Sequence, residues 1–185
     1  MIERRKHIRG GQITLLQGKD DNGSIKSLEE TLRSAHPMLE YARPLIPSNL
    51  GTKAALEWFE RFYLYRVPED SMLVGVDRGG LIACAIQSAL PALRLTVVAV
   101  NSPTEDDGVI AKPSTSAYNR LALYSSAYPP IEGRCDWKAV TPFAYDLSWL
   151  APGCKNFYPL AYLISAFSRN GDMDKEVAML FPPEL

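Results

Sequence analysis

The sequence predicts an α/β protein: a three-layer αβα sandwich around a mostly parallel central sheet. Three observations carry that expectation. Short apolar runs closed by turn residues recur along the chain as strands. Stretches with helical spacing or helix boundaries separate them, and this alternation implies a parallel sheet covered on both faces. The length of 185 residues, 46% of them hydrophobic, is enough for one domain with a sizeable core. The whole of 1–185 is therefore read as a single domain, with residues 1–10 and their basic cluster "RRKHIR" as a flexible N-terminal arm.

The elements follow in order. "QITLLQG" (12–18) is an apolar run closed by glycine, hence a buried strand. "KDDNGS" is a loop, and "SLEETLRSAHP" a helix, with Ser27 and Glu30 in capping-box spacing and Pro37 bounding its far end. "LEYARPLIP" is a weaker strand whose Pro44 suits a strand end or a sheet edge. Residues 52–66, "TKAALEWFERFYLYR", form the clearest helix, with Ala55, Phe59 and Phe62 on one face. "SMLVGV" is a second buried strand, followed by a helix from about Gly79 to Leu90 that Pro91 stops. "RLTVVAVNSP" (94–103) is a valine-rich strand. A long polar connection, "TEDDGVIAKPSTSAYN", leads to a further strand and its exit at 120–130. A proline- and aromatic-rich segment then runs to Gly153, and "YPLAYLISAFSRNG" reads as a final helix stopped at Asn170-Gly171.

The formal net charge of −1 gives no electrostatic case for nucleic acid or an anionic membrane as partner. Three cysteines, Cys84, Cys135 and Cys154, provide neither a disulfide framework nor a C-x-x-C ligand pair, and a reducing cytoplasm is the expected setting. No apolar stretch follows the basic N-terminus as in a secretory signal, and "FYPLAYLISAF" is too short to span a bilayer. No cofactor and no metal are expected.

Ligands in such sheets bind beyond the carboxyl ends of the strands. One of those ends carries "MLVGVDRGGLIAC", an apolar run, a glycine-flanked turn presenting Asp77, and a small-residue helix. Strand, turn and helix with glycines flanking one polar residue are the ingredients of a nucleophile elbow, G-x-S-x-G. On "LLQGKDDNGS", "EDSMLVGVDRGGLIAC" and "LTVVAVNSP", in that order, the chain resembles the small, lidless serine esterases of the α/β-hydrolase superfamily over most of its length. The resemblance implies a site at which serine attacks, histidine takes its proton and an acid orients the histidine. Here Asp77 stands at the nucleophile position, Tyr128 where the acid is expected, and Lys155 or Asn156 where the histidine is expected. The chain has two histidines, His7 and His36, and neither follows the elbow. The usual relay cannot be assembled.

The expected function is therefore a hydrolase-fold protein without the triad, which binds a small molecule or a protein partner. Gln17, Lys19, Arg78 and Gly79 are its candidate binding residues. By the same resemblance, backbone N–H groups near Lys19 and Arg78 would form an oxyanion hole, and an anion site could persist without catalysis. Otherwise these two basic side chains are simply solvated. A second reading keeps Asp77 as a nucleophile, as in haloalkane dehalogenases and epoxide hydrolases, with an unconventional base. In the structural alternative, Asp77 accepts hydrogen bonds from N–H groups at the helix N-terminus.

Asp20, Asp21, Glu105, Asp106 and Asp107 could join Asp77 around a hard cation, though solvated loop charges are the simpler expectation. Cys84 and Cys154 lack an activating histidine, and the aromatics of "CDW" and "YDLSW" could wall a pocket or fill the core. A third reading compares "VGVDRGGLIAC" with the pyrophosphate turn of phosphoribosyltransferases. That reading requires a later acidic pair and a Thr-Gly phosphate loop, and "TEDDGVIAKPST" lacks the Thr-Gly turn.

Overall fold

The structure is a computed structural model. It describes residues 12–19, 24–113, 120–124, 137, 140–141 and 143–146. The chain runs β1 (Gln12–Leu16), α1 (Ser24–Ala35), β2 (Glu40–Ala42), α2 (Thr52–Phe62), β3 (Met72–Val76), α3 (Arg78–Ala89), β4 (Thr96–Val100), β5 (Glu105–Asp106), β6 (Val109–Ile110), β7 (Arg120–Tyr124) and β8 (Phe143–Asp146). Six strands form one sheet in the order β2-β1-β3-β4-β7-β8, and every pairing in it is parallel. The chain first steps outward from β1 to β2. It then crosses back to β3 on the other side of β1 and continues outward. Right-handed crossovers in opposite directions place their helices on opposite faces. Accordingly α1 packs on β1, while α2 packs against α3.

The strand pattern supplies both cores. On the α2–α3 face, Leu16, Leu73, Val97 and Ala99 are buried with Ala55 and Phe59 of α2 and Leu81, Ile82 and Ile86 of α3. In alternate positions on the other face, Ile13, Leu15, Met72 and Val74 are buried, as are Ile25, Leu28 and Leu32 of α1. Strands buried on both faces read as continuous apolar runs, which is why β1, β3 and β4 were visible in the sequence.

The depth of α3 is set by small residues. Gly75, Ala99, Ala122 and Ala144 lie in register across four strands. A Cβ on Gly75 would stand 2.2 Å from backbone atoms of Gly79 and Gly80, and one on Gly80 would stand 2.0 Å from Ser102 Oγ. At its other end α3 meets Arg120, whose side chain is wholly buried. Its guanidinium donates to Gln87 Oε1 (2.8 Å), Ser88 Oγ (3.1 Å), Cys84 O (3.3 Å) and the carbonyl of Lys112. All four acceptors are neutral, and a cation at the last turn complements the helix dipole.

Several elements differ from their sequence readings. The helix α1 begins at Ser24, so Ser27 lies inside it and its carbonyl accepts from Thr31 Oγ1 (2.9 Å) rather than capping. Phe62, the last residue of α2, is 51% exposed, whereas Ala55 and Phe59 are buried. The polar connection contains a two-stranded antiparallel hairpin, β5–β6. Its turn residues Asp107 (φ 51) and Gly108 (φ 75) have the positive φ angles a two-residue hairpin loop needs. β8 falls in the segment read as proline- and aromatic-rich irregular chain. Pro44 follows β2, which is an edge strand as read. The N-terminal arm and the final helix lie outside the described residues.

Arg120→Met is expected to cost about 3 kcal/mol, because two buried and two part-buried acceptors lose their donor. A urea midpoint unchanged from wild type would contradict that role.

Candidate functional site

The sheet order reverses between β1 and β3, and in such sheets the ligand crevice is expected at the carboxyl ends of the strands at that point. Both walls depend on glycine. Gly79 lets the first turn of α3 rest on the end of β1, since a Cβ there would lie 2.3 Å from Leu16 O. Gly18 lets the following loop approach Asp77, since its Cβ would lie 2.9 Å from Asp77 Oδ2.

Asp77 joins β3 to α3 with φ 56 and ψ −131, a sparsely populated conformation for any residue with a side chain. Such a conformation costs about 1–3 kcal/mol and persists where the surroundings enforce it. Here Asp77 N donates to Val100 O (2.9 Å), and Gly80 N donates to Asp77 O (3.1 Å). The side chain makes no capping hydrogen bond to α3. Instead Lys19 N approaches its Oδ2 at 3.4 Å, and the Arg78 N–H also faces the carboxylate. Burial pushes the Asp77 carboxyl above its usual range, against the pull of these two N–H groups and of the Arg78 guanidinium, while Asp106 pushes it further up.

Chains of low identity share this fold. No family model matches the sequence, and no curated protein sequence matches it. Solved structures do match in three dimensions, two of them as follows. The ydeN gene product from B. subtilis superposes with TM-score 0.61 at 13% identity, over 84% of this chain and 97% of that one. MGS-MChE2, an alpha/beta hydrolase enzyme from the metagenome of sediments of the Mar Chica lagoon, Morocco, superposes with TM-score 0.59 at 14% identity, over 87% and 92%. The chain has the α/β-hydrolase fold.

Asp77 occupies the turn between β3 and α3, the place where the sequence resemblance expects a nucleophile elbow. The structure brings Gln17, Lys19, Asp77, Arg78 and Gly79 together there, while Tyr128, Lys155 and Asn156 lie outside the described residues, as do Asp20, Asp21, Cys135 and Cys154. Their neighbours impose corrections. Arg78 is 2% exposed, so it is not a solvated side chain. It donates to the carbonyls of Leu50 and Pro47, the latter at 3.4 Å. Gln17 Nε2 reaches Ile46 O at 3.5 Å. Both side chains face the loop between β2 and α2. Gly79 serves by lacking a side chain, and Lys19 by its amide.

The hairpin acids also have structural partners. Asp106 accepts from Thr52 Oγ1, and Asp107 accepts from Lys53 N at 3.0 Å. They bind the first turn of α2, where orphan N–H groups need acceptors. Asp106 therefore lies in a hairpin docked on a helix, not in a phosphate-cradling loop. Among the described residues no group of three or more His, Cys, Asp or Glu side chains could hold a metal ion. Thr52 was not singled out from sequence; the Asp-Gly pair at 107–108 signals the hairpin but not the helix on which it docks.

Other candidates fall away from the crevice. The Cys84 thiol is fully buried and pushed up to about 11, which makes it a poor nucleophile. Trp137 is buried and donates from Nε1 to Ser102 O (2.7 Å), so it anchors the chain after β4. His36 lies between α1 and β2, at the amino end of the sheet.

Gly79→Ala is expected to destabilise the protein by about 3 kcal/mol by overpacking, whereas Gly108→Asn changes stability by less than about 0.5 kcal/mol. Equal denaturation midpoints would contradict this. Asp77→Asn is expected to melt above wild type at pH 7. Because the folded-state pKa of Asp77 is raised, its contribution to stability is most favourable below the unfolded carboxylate pKa and declines as pH rises through the folded one. The variant's advantage should therefore shrink on acidification, and a gap that widens instead would refute the assignment.

Proposed function

We propose that this α/β-hydrolase-fold chain performs no serine-esterase turnover and uses the crevice between β1 and β3 to bind a small molecule or a protein partner. One observation carries the reading. At the β3–α3 turn stands a carboxylate beside the Lys19 amide, in the place where a hydrolase of this fold would carry its serine. A positioned general base contributes about 10²–10⁴ in rate. His36 stands at the amino end of the sheet, and His7 precedes β1 in sequence. The near-zero net charge favours neither nucleic acid nor a membrane surface, and no described helix is long and apolar enough to cross a membrane.

The strained backbone of Asp77 favours a second reading, in which its carboxylate attacks a carbon of an epoxide, opening the ring, or of a haloalkane, expelling halide, to form a covalent ester, or attacks an activated ester, expelling its alcohol, to form an anhydride. Intact-protein mass spectrometry after incubation with such compounds separates the two, with Asp77→Asn as control. The binding reading expects no adduct on either protein. An adduct on wild type that vanishes in Asp77→Asn would make Asp77 a nucleophile and overturn it.

A further inference from the structure

We propose that the outer flank of α2 is a self-association surface, on which a second copy of this chain packs its own α2 antiparallel about a two-fold axis. The helix carries more apolar surface than its core uses. Ala55 and Phe59 belong to the buried core. Ala54, Trp58 and Phe62 form a second stripe beside them, because residues four apart share a helix face. The Trp58 and Phe62 rings are in contact, with centroids 5.8 Å apart. Phe62 is 51% exposed, and Tyr65, in the 3-10 turn Leu64–Arg66 that continues the helix, is 74% exposed. The other large exposed apolar side chains, Met38, Leu45, Leu90 and Ile110, belong to four separate segments. Apolar residues scattered singly are ordinary on a surface, whereas a run of exposed aromatics marks a contact. Arginine accompanies the run. The Arg61 guanidinium lies 5.2 Å from the Phe62 ring centroid, and that of Arg66 lies 5.4 Å from the Tyr65 centroid. Aromatic side chains and arginine are the residues enriched in protein–protein contacts.

Charge selects the occupant. Glu57 precedes Trp58 and Arg61 follows it, and both are exposed on the solvent side of the stripe. Although they stand four residues apart, neither takes part in an ion pair among the described residues. An antiparallel copy brings its Arg61 to this Glu57 and its Glu57 to this Arg61, so one two-fold axis pairs both charges twice. The small Ala54 leaves room opposite the second copy's Phe62. A partner of uniform charge would meet a like charge at one of the two positions. The net charge of −1 leaves little repulsion between copies. One helix pair is a small interface, below about 1,200 Å², so the dimer is a weak one that forms at micromolar concentration.

Sedimentation velocity tests this on the full chain over about 1–300 µM, because association follows mass action. Wild type should pass from monomer to dimer across that range. Glu57→Arg and Arg61→Glu should each associate about tenfold more weakly or worse, because each sets like charges opposite one another twice. Mixed in equal amounts, the two variants should form a heterodimer as readily as wild type dimerises, since the more cationic helix then faces the more acidic one. Phe62→Ser should stay monomeric, and it supplies the test if a charge variant does not fold. Wild type that remains a monomer throughout the range would overturn the inference. So would a dimer that survives all three substitutions, or charge variants that stay monomeric when mixed.

Discussion

The close approach of α3 to the sheet is the constraint on which the rest of the structure depends. Backbone meets backbone where Gly75 faces Gly79 and Gly80, with no room for a methyl group between them. The row Gly75, Ala99, Ala122 and Ala144 extends that clearance across the sheet. A helix lowered this far must leave its strand through a sharp turn, so the strain at Asp77 follows from the packing. The same descent places the α3 N-terminus beside the end of β1. The crevice and its converging amides are consequences of how the core is filled.

The sequence displayed this scaffold because its determinants are local. Continuous apolar runs marked β1, β3 and β4, and the glycines around Asp77 marked the elbow. Long-range partners were hidden. Nothing near Arg78 in the chain says that its guanidinium meets carbonyls at 47 and 50, which turns an apparent ligand-binding side chain into a loop clamp. Asp106 and Asp107 resembled solvated charges because their partners, Thr52 and Lys53, lie 54 residues away. β8 has four residues and no flanking turn signal strong enough to outweigh its proline-rich surroundings. The capping box at Ser27 misled because Ser24 opens the helix one turn earlier.

Charge in the molecule follows one rule at both ends of α3. Arg120 is buried among neutral acceptors at the last turns, and Asp77 is half-buried among N–H donors at the first. Each matches the helix pole it meets. They differ in how completely they are satisfied. Arg120 has four acceptors, whereas Asp77 faces two amides and the opposing field of Asp106. The less satisfied pole is the one that opens on the crevice.

The sheet's β2 edge also bears on how the molecule behaves in a crowd. A long row of unpaired backbone groups invites a neighbouring chain to add a strand. β2 limits that row to three residues. Glu40 puts a charge on it, Arg43 follows directly, and Pro44 then interrupts the supply of N–H donors. At this edge the described residues counter templated aggregation through brevity, charge and proline.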